Sequence, residues 1–292
     1  HLGRCRALDQ QLGKGAAAAT DIDPRQTLCG REPIEEADAG TLVTWNMDGA
    51  NNFMAKAMGV GADALILDLE DAVAPEAKPR ARIAVAEFLS GPRDPAVRLF
   101  VRINPIDGPL AAEDLAAITD ARPDGIVLPK AEGLVSLHAL AARGITHIPV
   151  LPIATETPAA IFRLGDYAGA SLPLAGLTWG AEDLPAAIGA TAAREADGGY
   201  TAPYQLARSL TLFGAHAAGV AAIETVYPDF RDLEGLAAYA ARGRRDGFTG
   251  MMAIHPAQVP VINAAFTPSE AAIAHAQAVV AAFAANPGAG AL

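Results

Sequence analysis

The stretch GADALILDLEDAV, residues 61–73, decides how the rest of the chain is read. Its centre, residues 64–69, is a short apolar run broken only by Asp68, and it ends in the acidic group Asp68, Glu70 and Asp71. A strand that alternates apolar and polar residues has one wet face. A near-continuous apolar run belongs to a parallel strand covered on both faces. Working outward, similar runs recur at 41–46, 98–103 (RLFVRI), 125–129 (GIVLP), 148–153 (IPVLPI), 174–179, 220–225 and 249–254. Between them lie Ala-, Leu- and Arg-rich stretches with helical spacing, as at 76–90, 111–119 and 134–143. Eight strands alternating with helices predict an α/β fold, a closed (β/α)8 TIM barrel with a C-terminal helical extension. The expected organisation is an irregular N-terminal extension over 1–40, the barrel over 41–265, and a C-terminal helix and lid segment over 266–292.

Composition sets the outer limits. The chain has 292 residues, of which 51% are hydrophobic, enough for a large core and too many for a disordered chain. Lys and Arg number 22 against 33 Asp and Glu, a net charge of -11, which argues against general nucleic-acid binding. A local basic pocket on an acidic protein still admits an anionic substrate. The two cysteines, Cys5 and Cys29, form no CxxC or zinc spacing and no disulfide framework, so the cytoplasm is the expected compartment. The longest uncharged run, residues 271–292, is mostly Ala and carries His275, Gln277, Asn286 and Pro287, so it reads as a surface helix and tail. No membrane span or signal peptide is expected.

A barrel places its active site at the C-terminal ends of its strands. Polar residues collect at those ends: Asp68, Glu70 and Asp71 after the second run, Arg102 and Asn104 after the third, Lys130 and Glu132 after the fourth. Thr155 and Glu156 follow the fifth, Glu182 and Asp183 the sixth, and His255 the eighth. Glu156 and Asp183 fall on neighbouring strand ends and suit a hard cation such as Mg2+, which takes one or two carboxylates plus waters and substrate oxygens. Helix capping or pairing with an arginine is the alternative. Arg102, in VRINP, can grip a substrate carboxylate bidentately or pair with Glu70 or Asp71 as structure. His255, in IHPAQ, has no Ser or Cys nucleophile signature beside it, which favours loop ordering or ligand positioning over acid–base work.

Six motifs then appear in order: GADALILDLEDAV, VRINP, GIVLPKAE, IATETPAAI, WGAEDL and IHPAQV. Together, over residues 54–285, they resemble the citrate lyase β-subunit family of CoA-ester lyases, within the HpcH/HpaI aldolase superfamily, relatives of malyl-CoA and citramalyl-CoA lyases. The resemblance implies a Mg2+-dependent barrel assembled as a homotrimer or a dimer of trimers, acting on an acyl-CoA substrate. It implies Glu156 and Asp183 as metal ligands and Arg102 as the residue that holds the substrate's carboxylate or carbonyl. It places Glu70 and Asp71 as the acidic pair beside the metal, and His255 and Gln258 on a loop near the acyl-CoA. The implied reaction is carbon–carbon cleavage of a 3-hydroxyacyl thioester to an acyl-CoA and an oxo acid. A thioester hydrolase and a non-catalytic CoA-ester-binding or complex-forming subunit are the alternatives. The last is motivated by two departures from the family pattern. Residues 41–48 (TLVTWNMD) lack the Arg that helps bind CoA, and the sequence given ends at Leu292 without the Asp that a lid carries into a neighbouring site.

Overall fold

The computed structural model describes residues 40–46 and 58–286. Eight parallel strands run in the order β5-β4-β3-β2-β1-β8-β7-β6. They are β1 (Thr41–Asn46), β2 (Ala64–Asp68), β3 (Arg98–Arg102), β4 (Gly125–Leu128), β5 (Val150–Pro152), β6 (Leu177–Thr178), β7 (Ala222–Glu224) and β8 (Gly250–Ala253). Parallel bridges Val150–Leu174 and Ile153–Thr178 join β5 to the β6 side and complete the circle. The chain forms the expected (β/α)8 barrel, and each apolar run contains one strand.

Two apolar cores follow from the strand period of two. Ala64, Ile66, Phe100, Val127, Leu151, Ile153, Ile223 and Met252 pack together inside the barrel. Leu65, Leu67, Leu99, Val101, Ile126 and Leu128 belong to the other core, which the helices cover. Alternation continued to the strand ends puts Asp68 in line with Ala64 and Ile66, and Arg102 in line with Phe100. The Phe100 ring needs Gly125, since a Cβ there would lie 2.1 Å from it.

Among the described residues the α-helices are α1 (Lys78–Ser90), α2 (Ala111–Ile118), α3 (Leu134–Ala141), α4 (Pro158–Ile161), α5 (Asp183–Ile188), α6 (Ala202–Ala218), α7 (Leu233–Asp246), α8 (Val259–Phe266) and α9 (Glu270–Ala285). Local chemistry sets their ends. The Asp232 side chain accepts from Gly235 N–H at the start of α7, and Gly247 closes it with φ +111°. The Thr157 side chain accepts from Ala160 N–H at the start of α4. Barrel and α1–α8 form one compact unit within residues 38–266, and α9 is not part of it. No residue of α9 is buried, and Ser269 caps its start. The expectation of an irregular segment over 1–40 lies outside the described residues, Gly40 excepted. Among the described residues no helix is long and apolar enough to cross a membrane.

Candidate active site

The charged mouth is built by the register of β2 and β3. Asp68 pairs directly with Arg102 in the ladder, and the two side chains meet over the barrel. Arg102 Nε donates to Asp68 Oδ1 at 2.8 Å and Nη2 to Oδ2 at 2.5 Å. Asp68 is fully buried and also accepts from the backbone N–H of Glu70 and of Ala72, which shapes the turn after β2. That turn aims Glu70 at Arg102 Nη1, 3.0 Å away. The arginine therefore has an ionic partner on each flank, which lets a buried guanidinium stay charged.

A buried polar network supports the turn from behind. Lys78 Nζ donates to the carbonyls of Leu69 and Glu70 and to Asn104 Oδ1. Asn104 Nδ2 donates to the Leu69 carbonyl and to Asp114, and Asp114 also accepts from the Asn104 backbone N–H and from Arg82 Nε. This explains the Asn of VRINP. It ties the end of β3 to the loop that presents Glu70.

Across the mouth, Glu156 follows β5 and is buried, and Asp183 begins α5 half-exposed. Glu156 fits because residue 180 is glycine. A Cβ at that position would lie 2.8 Å from Glu156 Cγ. Thr155 Oγ clamps the same glycine, within 3.0 Å of both its N–H and its carbonyl. The motifs IATETP and WGAEDL are thus two halves of one local structure.

Lys130, after β4, links the halves of the site. Its ammonium lies 3.0 Å from Glu70 Oε1 and 2.9 Å from Asp183 Oδ2, and its backbone N–H donates to Glu156 Oε2 at 2.6 Å. Its φ of +50° is left-handed, uncommon for a side-chain-bearing residue and typical of functional sites. The result is one connected chain of charge: Asp68, Arg102, Glu70, Lys130, Asp183, with Glu156 on the Lys130 amide.

The electrostatics follow from burial. Burial pushes the Glu156 carboxyl up to about 8, assisted by Glu70 and Asp183 and opposed by the Lys130 N–H. Glu70 is also raised, chiefly by burial, with Arg102 and Lys130 opposing. Burial by itself lowers Arg102 and Lys130, but their carboxylate partners outweigh it and both remain cations.

The sequence-predicted residues divide into two groups. Arg102, Glu70, Glu156 and Asp183 come together. Asp71 stands exposed at the rim and acts on Glu70 and Arg102 only through its charge. His255 and Gln258 order the loop after β8. His255 Nδ1 accepts from Ala257 N–H, and its ring stacks on Phe230 at 4.6 Å. Gln258 is fully buried; its Oε1 accepts from the N–H groups of Ile254 and His255, and its Nε2 donates to the Tyr227 carbonyl. Gln258, which the resemblance places on a loop near the acyl-CoA, uses its carboxamide to hold the backbone of that loop. Lys130 and Asp68 were noted as strand-end residues but given no role. The alternation from Ile66 would have aimed Asp68 at Arg102. A cavity of about 530 Å³ is walled by Arg194, Tyr200, Tyr227, Tyr239 and Arg242, and none of the connected charges lines it.

Among the described residues, no three His, Cys, Asp or Glu side chains form a ready metal cage. Glu156 and Asp183, both tied to Lys130, are a hard, oxygen-only pair, which fits an ion that keeps waters and substrate oxygens in its shell. It offers none of the Cys and His ligands that zinc and copper sites favour.

A parallel barrel with such a mouth is the framework of an enzyme whose chemistry lies at its strand ends. Residues 42–256 match the model of the HpcH/HpaI aldolase/citrate lyase family, and the chain belongs to that family. A citrate lyase subunit beta-like protein of Mycobacterium tuberculosis is 38% identical over 221 residues, covering 76% of this chain and 77% of its own length. A (3S)-malyl-CoA thioesterase of Cereibacter sphaeroides is 36% identical, covering 79% of this chain and 78% of its own. Among solved structures, protein CitE from Mycobacterium tuberculosis, in complex with magnesium, acetoacetate and coenzyme A, superposes with a TM-score of 0.74 at 35% identity, covering 86% of this chain and 89% of that one.

Proposed function

We propose that this chain is a Mg2+-dependent carbon–carbon lyase. Its substrate is a short 3-hydroxyacyl-CoA thioester of the malyl-, citramalyl- or citryl-CoA type, and its products are an acyl-CoA and an oxo acid. The observation that carries the reading is the facing arrangement of the Glu156–Asp183 pair and the Arg102–Glu70 pair across one barrel mouth, joined by Lys130. The magnesium-bound CitE relative supports the choice of ion. Glu156 and Asp183 hold it, and when bound it supplies Lewis-acid stabilisation of developing oxyanions.

The protein's own groups do the rest. Arg102, oriented by Asp68, holds the carboxylate of the substrate and faces the oxygen that gains charge. Glu70, raised by burial, takes the hydroxyl proton. The bond between the hydroxyl-bearing carbon and the carbon next to the thioester breaks, its electron pair leaves as the thioester enolate, and protonation of that carbon gives the acyl-CoA. Asp71 completes the acidic pair and keeps Glu70 basic. His255 and Gln258 hold the loop after β8 as a wall for the acyl group. Assembly as a homotrimer or dimer of trimers in the cytoplasm belongs to the same reading.

A thioesterase is the second reading, favoured by the (3S)-malyl-CoA thioesterase relative. The test incubates malyl-, citramalyl- and citryl-CoA with Mg2+ and identifies the products, with Glu156→Ala and Asp183→Ala as controls. An oxo acid plus acyl-CoA, lost in both variants, establishes the lyase. Free hydroxy acid plus CoA establishes the hydrolase, and no turnover by the folded protein overturns both.

A further inference from the structure

Lys130 has no role in the reaction just described, yet its side chain and amide together contact three carboxylates of the site. Its ammonium pairs with carboxylates from two different loops, Glu70 after β2 and Asp183 at the start of α5. Its own amide holds a third, Glu156 after β5. A left-handed backbone at residue 130 is what lets amide and ammonium serve one cluster. Its side chain is one-third exposed, so this is a cation at the edge of the site with room to move.

We propose that Lys130 is a built-in counter-cation that holds the three carboxylates together without a metal and lowers their affinity for a divalent ion. The inference rests on Glu156 and Asp183 being the metal's ligands. The physical argument is one of charge. Three carboxylates gathered at one mouth repel, and a single ammonium offsets part of that repulsion. An incoming doubly charged ion must share Asp183 with the ammonium and bind close to it. Even at the dielectric of water, repulsion between a unit charge and a doubly charged ion a few ångströms away weakens binding by about tenfold. The benefit is a site that keeps its shape between turnovers and releases the ion readily.

The test is a titration of the full chain with Mn2+, followed by the free-ion electron paramagnetic resonance signal, which needs no substrate and no turnover. Glu156→Gln sets the baseline for loss of the site. Lys130→Met is expected to bind Mn2+ about tenfold more tightly than the parent, and Lys130→Arg, which keeps the charge, within about twofold of it. In chelator, Lys130→Met is expected to melt below the parent and to gain more from added Mn2+, because binding free energy is returned as stability. Lys130→Gln gives the same reading if the Met variant does not fold. Equal or weaker binding by both neutral variants overturns the inference while leaving the metal site standing, and so does tight binding by Lys130→Arg. A parent chain that binds no Mn2+, or binds it as well after Glu156→Gln, overturns the ligand assignment and this inference with it.

Discussion

Glu156 occupies space that exists only because residue 180 has no side chain. A Cβ on Gly180 would meet Glu156 Cγ at 2.8 Å, its Oε1 at 3.1 Å and Ile153 Cγ2 at 3.2 Å. Gly180→Ala is therefore expected to push the carboxylate off the Lys130 amide. Overpacking of this kind costs about 1–3 kcal/mol. The loss in catalysis should be larger, about tenfold or more in kcat/KM, because misplacement by an ångström is costly at a reacting centre. Thermal melts and steady-state kinetics on the same variant read both effects.

Asp68 and Arg102 make the second prediction. Asp68→Asn keeps the shape and removes the charge that orients the guanidinium. Breaking a buried ion pair costs about 3–5 kcal/mol, less where the remaining charge reaches solvent, and Arg102 retains Glu70. The expected loss is about 2 kcal/mol by denaturant unfolding, with kcat falling more than KM rises. Arg102→Lys should not rescue activity, since an ammonium lacks the planar fork that fits Asp68 on one side and a carboxylate on the other.

A third prediction concerns pH. The folded protein raises Glu156 from 4.5 to about 8, so between those values the folded state holds a proton that the unfolded chain has released. The metal-free protein must then lose stability as pH rises from about 4.5 to about 8, by an amount on the order of a few kcal/mol. Below 4.5 both states are protonated and the contribution is flat. Glu156→Gln should remove most of this slope. Equal slopes for parent and variant in chelator would contradict the assignment.

Lys78 makes a fourth. Its buried ammonium satisfies two loop carbonyls and Asn104 behind the turn that carries Glu70. Lys78→Met leaves Asn104 Oδ1 unpaired, at about 1–3 kcal/mol, and takes one of two donors from the Leu69 and Glu70 carbonyls, which keep Asn104 Nδ2 and Val73 N–H. A drop in melting temperature should accompany faster amide exchange at Leu69 to Asp71 and a fall in kcat, although Lys78 touches no reacting atom. Hydrogen exchange would show whether the damage is confined to that turn.

The fold was readable because strands covered on both faces leave few places for polar residues. All five residues of β2 are buried, and its run was the clearest in the chain. The run at 174–179 read longer than β6, which is only Leu177–Thr178, and Leu174 contributes one isolated bridge. In the site, Arg102, Glu156 and Asp183 were readable as charges at strand ends. Lys130 was not, because a lysine after a strand has the same look as any surface cation. Only closure of the barrel brings its ammonium from β4 across to the start of α5. Gly180 was silent for a similar reason. Its need for space is set by a residue 24 positions earlier, on a different strand. The part of Gln258 in ordering its loop was silent as well, since only the fold shows which backbone groups its carboxamide meets.

The break in the strand order between β5 and β6 now has a meaning. Elsewhere around the circle neighbouring strands share continuous ladders, but this junction is held by bridges at Val150–Leu174 and Ile153–Thr178. Glu156 and Asp183 stand on opposite sides of that junction, one after each strand. Anything gripped by both carboxylates is a clasp across that seam of the barrel. Site occupancy and the tightness of the seam must then rise and fall together, so that the amides of residues 150–154 and 177–178 report on whether the clasp is shut.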